Sequence, residues 1–301
     1  MIVEFNQDRS LFSIYSQGDI KIIKTDYPLK LKGTYGDIPV IKKMCMFYKT
    51  NIMFFVGDEP VDTGDENEFA RNILHIYDAN EKKTITEMKF DGEINDIQLL
   101  KPDDGEGIGM ENSIMSVHSG KHIYMYKMNK MDSYFDKIYT ANSNYCMSND
   151  YLIYIDLEQN NEFINVLDFK NKKIVTRFQA HNNKIKFMTL NNDKKMLATA
   201  SDRGTIIRIF DVENGTLLHE FRRGTSGSNI EYITFNDKSE YLAVISDRNT
   251  VHIYDLINAS YNRKSILSIL GGYFDSEWSF AWFYDEKINK TKKCYFDTNN
   301  D

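Results

Sequence analysis

The residues best suited to chemistry fall between positions 181 and 252, and at their centre stands Phe221-Arg222-Arg223-Gly224. A guanidinium presents a rigid fork of donors that suits bidentate phosphate binding better than a lysine ammonium does. Successive side chains of an extended backbone face opposite ways, so two adjacent arginines would each serve a different cleft. Gly224 allows a sharp turn and a close approach of ligand to backbone. The neighbourhood adds hydroxyls, imidazoles and further charge. His181, Ser201, Thr205 and Arg208 come before the pair, and Thr225, Ser228, Thr250 and His252 come after it. This set predicts two phosphate pockets at one rim.

Other chemistries fit less well. His181, Ser201 and Asp202 could form a nucleophilic set, but Ser201-Asp202 sits in a predicted hairpin turn, without a nucleophile-elbow pattern or an oxyanion donor signal. An enzyme is therefore not expected. His75, His118, His122 and His219 form no metal-spaced cluster of the His-x-x-x-His kind with a third ligand, and no metal or other cofactor is expected. Cys45, Cys146 and Cys294 are too far apart for a C-x-x-C pair and are read as reduced thiols. The net charge of −7 and the absence of a basic-aromatic stripe argue against nucleic acid. From Arg177 to His252 basic residues outnumber acidic ones, 11 to 9, so a mild basic patch sits on an acidic body.

The elements that must position these residues come from a repeat. A short alternating strand recurs as Leu74-His75-Ile76-Tyr77-Asp78, Tyr124-Met125-Tyr126-Lys127, Asn165-Val166-Leu167-Asp168, Arg208-Ile209-Phe210-Asp211 and His252-Ile253-Tyr254-Asp255. The closing positions lie 49, 41, 43 and 44 residues apart. In the best copies a second strand precedes the first across Asp202-Arg203-Gly204 or Asp247-Arg248-Asn249, residues that tolerate a left-handed turn. Strands are also predicted over 185–190 and 230–235. Four short strands per unit of about 40–45 residues mark a propeller blade.

The expected fold is all-β: a seven-bladed β-propeller of degenerate WD-type repeats with a short last blade. One domain spans residues 1–301, with blades over about 1–35, 36–90, 91–137, 138–176, 177–220, 221–270 and 271–301. The last blade either borrows an amino-terminal strand, or the chain is truncated. Acidic loops at 57–68 and 101–111 read as solvated connections or partner contacts. Residues 1–10 lack a signal peptide's apolar core, and the strongest apolar run, 52–56, is too short to span a bilayer. Any membrane contact is expected to be peripheral.

Three motifs in order carry a family resemblance. Ala198-Thr199-Ala200-Ser201-Asp202-Arg203-Gly204-Thr205, Phe221-Arg222-Arg223-Gly224 and Asn249-Thr250-Val251-His252-Ile253-Tyr254 resemble the PROPPINs, the autophagy-related propellers that include the WIPI proteins. Tyr48-Lys49-Thr50-Asn51-Ile52 and the run from Tyr273 to Ala281 add to the likeness. Arg203 stands where the family usually has Lys, and Asn249 where it usually has Gly.

The resemblance implies binding of phosphatidylinositol 3-phosphate and phosphatidylinositol 3,5-bisphosphate. One site would use His181, Ser201, Thr205, Arg208 and Arg222; the other would use Arg223, Thr225, Ser228, Thr250 and His252. It also implies an insertion loop over residues 257–270, with Tyr261, Ile266 and Leu267 entering the bilayer. The expected protein is a cytoplasmic monomer, peripheral on autophagosomal, endosomal or vacuolar membranes. Its expected protein partner is an autophagy scaffold or lipid-transfer protein. A WD-repeat interaction scaffold that binds no lipid is the competing reading, in which Arg222 and Arg223 are ordinary rim charges.

Overall fold

A computed structural model describes residues 1–26, 28–61, 69–100, 113–140, 142–148, 150–156, 163–258, 260–263, 277–284, 293, 294 and 296. The chain divides into two compact units, Met1–Ser143 and Asn144–Asp301. Among the described residues each holds three sheets.

In the first unit, β1 (Ile2–Phe5), β2 (Leu11–Ser16), β3 (Asp19–Lys24) and β4 (Lys30–Tyr35) form one antiparallel sheet. A second contains β5 (Ile41–Met46), β6 (Ile52–Gly57), β7 (Ile73–Asp78) and β8 (Lys83–Lys89). A third contains β9 (Ile94–Leu100), β10 (Ile114–Ser119), β11 (His122–Lys127) and β12 (Asp132–Tyr139). β1, β5 and β9, each an end strand of its sheet, pack in succession. Burial alternates along β2, where Leu11, Ser13 and Tyr15 point inward, as period-2 side-chain geometry requires.

The second unit begins with β13 (Tyr145–Met147), β14 (Tyr151–Ile155), β15 (Phe163–Asp168) and β16 (Lys173–Gln179). Next come β17 (Ile185–Leu190), β18 (Met196–Ser201), β19 (Ile206–Asp211) and β20 (Leu217–Arg222), and then β21 (Ile230–Phe235), β22 (Tyr241–Ser246) and β23 (Thr250–Asp255). The inner strand β17 packs against both β13 and β21. The two hairpins expected from the repeat are present: β18 pairs with β19 and β22 with β23, in antiparallel register. Their turns use a left-handed residue at the same place, Gly204 with φ 56° and Asn249 with φ 59°.

The expected all-β propeller class holds, but the expected seven blades do not: the described residues form six blades. Residues assigned to a short seventh blade extend the fifth and complete the sixth instead. β24 (Glu277–Trp278) adds a parallel strand to β20, and β25 (Ala281–Tyr284) pairs antiparallel with β23. Without β25 the sixth blade would have three strands and an open edge on β23, whose backbone groups need partners. The first blade is complete from its own four strands.

A core between the fifth and sixth blades holds Ile207, Ile209, Phe221, Ile233, Leu242 and Tyr254 among others. Phe221 is fully buried and stacks on Tyr254 with ring centroids 4.6 Å apart. Burying a side chain of this size contributes about 2–3 kcal/mol, which fixes the end of β20 against its neighbour.

Candidate phosphate site

β20 delivers the arginine pair. Phe221 faces the core between the blades, so the alternation of an extended strand turns Arg222 to the opposite side and Arg223 back towards the sixth blade. The strand geometry continues one residue past β20, because the Arg223 amide donates to the Thr205 carbonyl at 2.9 Å. Both arginines are buried, at 3% and 6% exposure, which is rare for the residue type. Each lines a different cavity of the second unit.

Arg222 lines a cavity of about 230 Å³ together with His181, Ser201, Arg203, Thr205 and Arg208. His181 is buried, and its Nε2 lies 3.0 Å from the Thr199 hydroxyl. Burial, helped by the nearby positive charge of Arg208, lowers its pKa to about 4, so the ring is neutral near pH 7. Arg208 is held firmly. Its Nε and Nη2 donate to one Glu220 carboxylate oxygen at 2.9 and 2.8 Å, and its Nη1 donates to the Ala180 carbonyl at 2.7 Å.

Arg223 lines a larger cavity of about 640 Å³ with Arg248, Thr250, His252, Arg263 and Trp282. Its Nε donates to the Gly204 carbonyl at 2.7 Å and its Nη2 to the Ser226 carbonyl at 2.6 Å. Burial lowers the Arg223 pKa, and Arg248 adds to the effect. His252 sits 3.0 Å from the Ser279 hydroxyl through Nδ1. Burial and the charge of Arg223 lower its pKa to about 4. Thr250 and Ser246 share a hydroxyl hydrogen bond of 2.8 Å.

Two sequence assignments differ from this geometry. Thr225, grouped with Arg223 from sequence, lines the Arg222 cavity. Ser228, placed in the same group, lines neither cavity. Its hydroxyl donates to the Asp247 carboxylate, and the residue is buried. The physical reason is the path of the loop after Arg223. The Ser228 amide donates to the Arg203 carbonyl at 3.1 Å, folding the loop back over the fifth-blade turn. Gly224 also differs in role. Its φ is not left-handed, and an added Cβ would meet nothing within 4 Å, so neither the backbone nor the packing demands glycine.

The sequence reading passed over several lining residues. Asn182 and Asn183 follow His181 directly, and Arg248 occupies the turn position of Arg203 in the next repeat, so aligning the two hairpins would have found it. Trp278 and Ser279 lay in a run noted only for its family likeness. Trp282 had no local signal, since strand pairing far along the chain brings it here, and Arg263 stood out in the sequence only as a cation beside the apolar residues of segment 257–270. Of the proposed insertion residues, Tyr261 is exposed, while Ile266 and Leu267 lie outside the described residues. Most of the acidic loops at 57–68 and 101–111 also falls outside them.

Two separate cation-lined cavities split by adjacent buried arginines suit a surface carrying more than one phosphate. Comparison with known proteins decides the family. The sequence matches the PROPPIN family model over residues 71–286. The chain belongs to the PROPPIN family. It is 28% identical to SVP1-like protein 2 of Kluyveromyces lactis, over 93% of this chain and 77% of that protein. It is also 28% identical to Autophagy-related protein 18 of Dictyostelium discoideum, over 88% of this chain and 67% of that one. The solved structure of Kluyveromyces lactis Hsv2 superposes with a TM-score of 0.75 at 27% identity, covering 97% of this chain and 84% of that one. PROPPINs are non-enzymatic β-propellers that bind phosphoinositides, with autophagy-related members, and the chain is a member of that class. Among the described residues no helix is long and apolar enough to cross a membrane, and no cluster of three or more His, Cys, Asp or Glu is placed to hold a metal ion.

Proposed function

We propose that the protein binds phosphatidylinositol 3-phosphate and phosphatidylinositol 3,5-bisphosphate through two headgroup sites divided by Phe221-Arg222-Arg223-Gly224. One observation carries this reading: residues adjacent in the chain, Arg222 and Arg223, line two different cavities. Both guanidinia are desolvated, which strengthens a charge-assisted hydrogen bond to phosphate. His181, Ser201, Thr205, Arg208 and Thr225 accompany Arg222, and Thr250 and His252 accompany Arg223.

Two weak headgroup contacts on one rigid unit raise the local concentration of the second site once the first is filled, giving stable but reversible attachment. Tyr261, exposed on the sixth blade, adds an interfacial aromatic contact. The membrane-bound protein then recruits an autophagy scaffold or lipid-transfer partner to endomembranes. The autophagy-related name of its Dictyostelium relative supports this role.

Flotation with vesicles containing either lipid tests the reading. The wild type should float with 3-phosphorylated lipid and not with phosphatidylcholine alone. Arg222→Thr or Arg223→Thr should each weaken flotation, and the double change should abolish it. Equal flotation of the double variant and wild type would sink the assignment.

A further inference from the structure

The two cavities differ in how much positive charge they have left to offer. In the smaller one, three arginines are present, Arg203, Arg208 and Arg222, but Arg208 is already committed to the Glu220 carboxylate and the Ala180 carbonyl. In the larger one, Arg223, Arg248 and Arg263 converge, and none of the three pairs with a carboxylate among the described residues. The nearby Asp247 accepts instead from Ser228 and from Asn229, the latter at 3.1 Å. The larger cavity thus gathers three guanidinia that bond no carboxylate among the described residues, and it has nearly three times the volume, 640 against 230 Å³.

Arg263 is delivered by a specific clamp. Its amide donates to the Trp278 carbonyl at 3.1 Å, and the Trp278 amide donates back to the Arg263 carbonyl at 2.7 Å. Trp278 in turn pairs with Arg222 across β24 and β20. The preceding residue, Asn262, is buried and donates to the Asp255 carbonyl at 2.7 Å and the Glu277 carboxylate at 2.8 Å. The backbone at Asn262 and Arg263 is therefore anchored, while the Arg263 side chain stays exposed at the cavity. An anchored backbone with a solvated guanidinium needs little further ordering to meet an added phosphate.

We propose that the pockets divide headgroups by charge: the Arg223 pocket takes the inositol headgroup bearing two ring phosphates, and the Arg222 pocket the headgroup bearing one. A ring phosphate carries nearly two negative charges at neutral pH, so a second one needs both a further cation and further room. Arg263 and Arg248 are then the specificity-determining residues. The inference rests on the two-site reading above but can fail without it.

The test isolates each pocket in the full chain. Arg222→Thr leaves the larger pocket and Arg223→Thr the smaller one, each titrated with vesicles of phosphatidylinositol 3-phosphate or phosphatidylinositol 3,5-bisphosphate at matched surface charge. The Arg222→Thr protein should prefer the bisphosphate by about tenfold, the scale of one charge-assisted contact, and the Arg223→Thr protein should show little preference. Adding Arg263→Gln to Arg222→Thr should remove that preference, lowering bisphosphate binding more than monophosphate binding. The exposed position of Arg263 makes this change compatible with folding, which a melting curve checks. Soluble inositol headgroups, measured by calorimetry, should rank the same way. Equal lipid ratios for the two single variants would overturn the division, as would a preference seen with vesicles and absent with soluble headgroups. If the Arg222→Thr, Arg223→Thr double variant still bound both lipids, the two-site reading itself would fall.

Discussion

The buried hydroxyl of Tyr254 donates to the carbonyl oxygen of Arg222 at 3.2 Å, across the junction of the fifth and sixth blades. The same ring stacks on Phe221, so one tyrosine holds both the residue before the arginine pair and the first arginine's backbone. Burial raises the Tyr254 pKa, keeping the hydroxyl protonated and able to donate. Tyr254→Phe keeps the stack and removes the hydrogen bond. The expected loss is about 1 kcal/mol, seen as a drop of a few degrees in Tm, together with weaker vesicle flotation. Unchanged melting and flotation would show that the bond does not hold the pair in place.

Two glycines near the site should respond oppositely to alanine. At Gly204 the backbone is left-handed, and an added Cβ would lie 1.9 Å from the Ser228 carbonyl oxygen. Gly204→Ala should cost more than about 1 kcal/mol and displace the loop that carries Thr225. Gly224→Ala meets no atom within 4 Å and should melt like wild type. If Gly224→Ala nevertheless lost lipid binding, the glycine would be needed for the approach of the ligand rather than for the fold.

Stability should fall on acidification in a defined window. His181 titrates at about 4 when folded, against an ordinary 6.5. Between these values the unfolded chain binds more protons, so its contribution is fully present above pH 6.5 and is lost as pH falls through about 4. A shift of this size corresponds to at most about 3 kcal/mol. Melting curves of His181→Gln should therefore fall less steeply with pH than those of wild type across that window. Parallel curves would show that His181 is not held neutral by burial.

Glu220 tempers the smaller pocket. Its carboxylate receives two hydrogen bonds from Arg208 and cancels that charge locally. In the Arg223→Thr background, where the smaller pocket acts alone, Glu220→Gln should tighten phosphoinositide binding on the order of two- to fivefold, with the gain shrinking at high salt. Weaker binding would show that Glu220 positions Arg208 rather than neutralising it.

What the sequence could determine was local. The hairpins of β18–β19 and β22–β23 follow from alternating apolar residues and from turn residues such as Gly204 and Asn249, all within about fifteen positions. The separation of Arg222 from Arg223 is equally local, because neighbouring side chains on any extended strand diverge. The family followed from those same motifs, in order. Long-range pairing decided the rest. β25 finds the edge of β23 from more than twenty residues away, and this turns an apparent seventh blade into the closing strand of the sixth. β24 settles against β20 and carries Arg263 to a cavity with which it shares no sequence motif. The loop after Arg223 folds back on the Arg203 carbonyl and moves Thr225 to the other arginine's side. A strand's period is written in its own side chains, whereas its partner is chosen by whichever open edge remains after the nearer strands have paired.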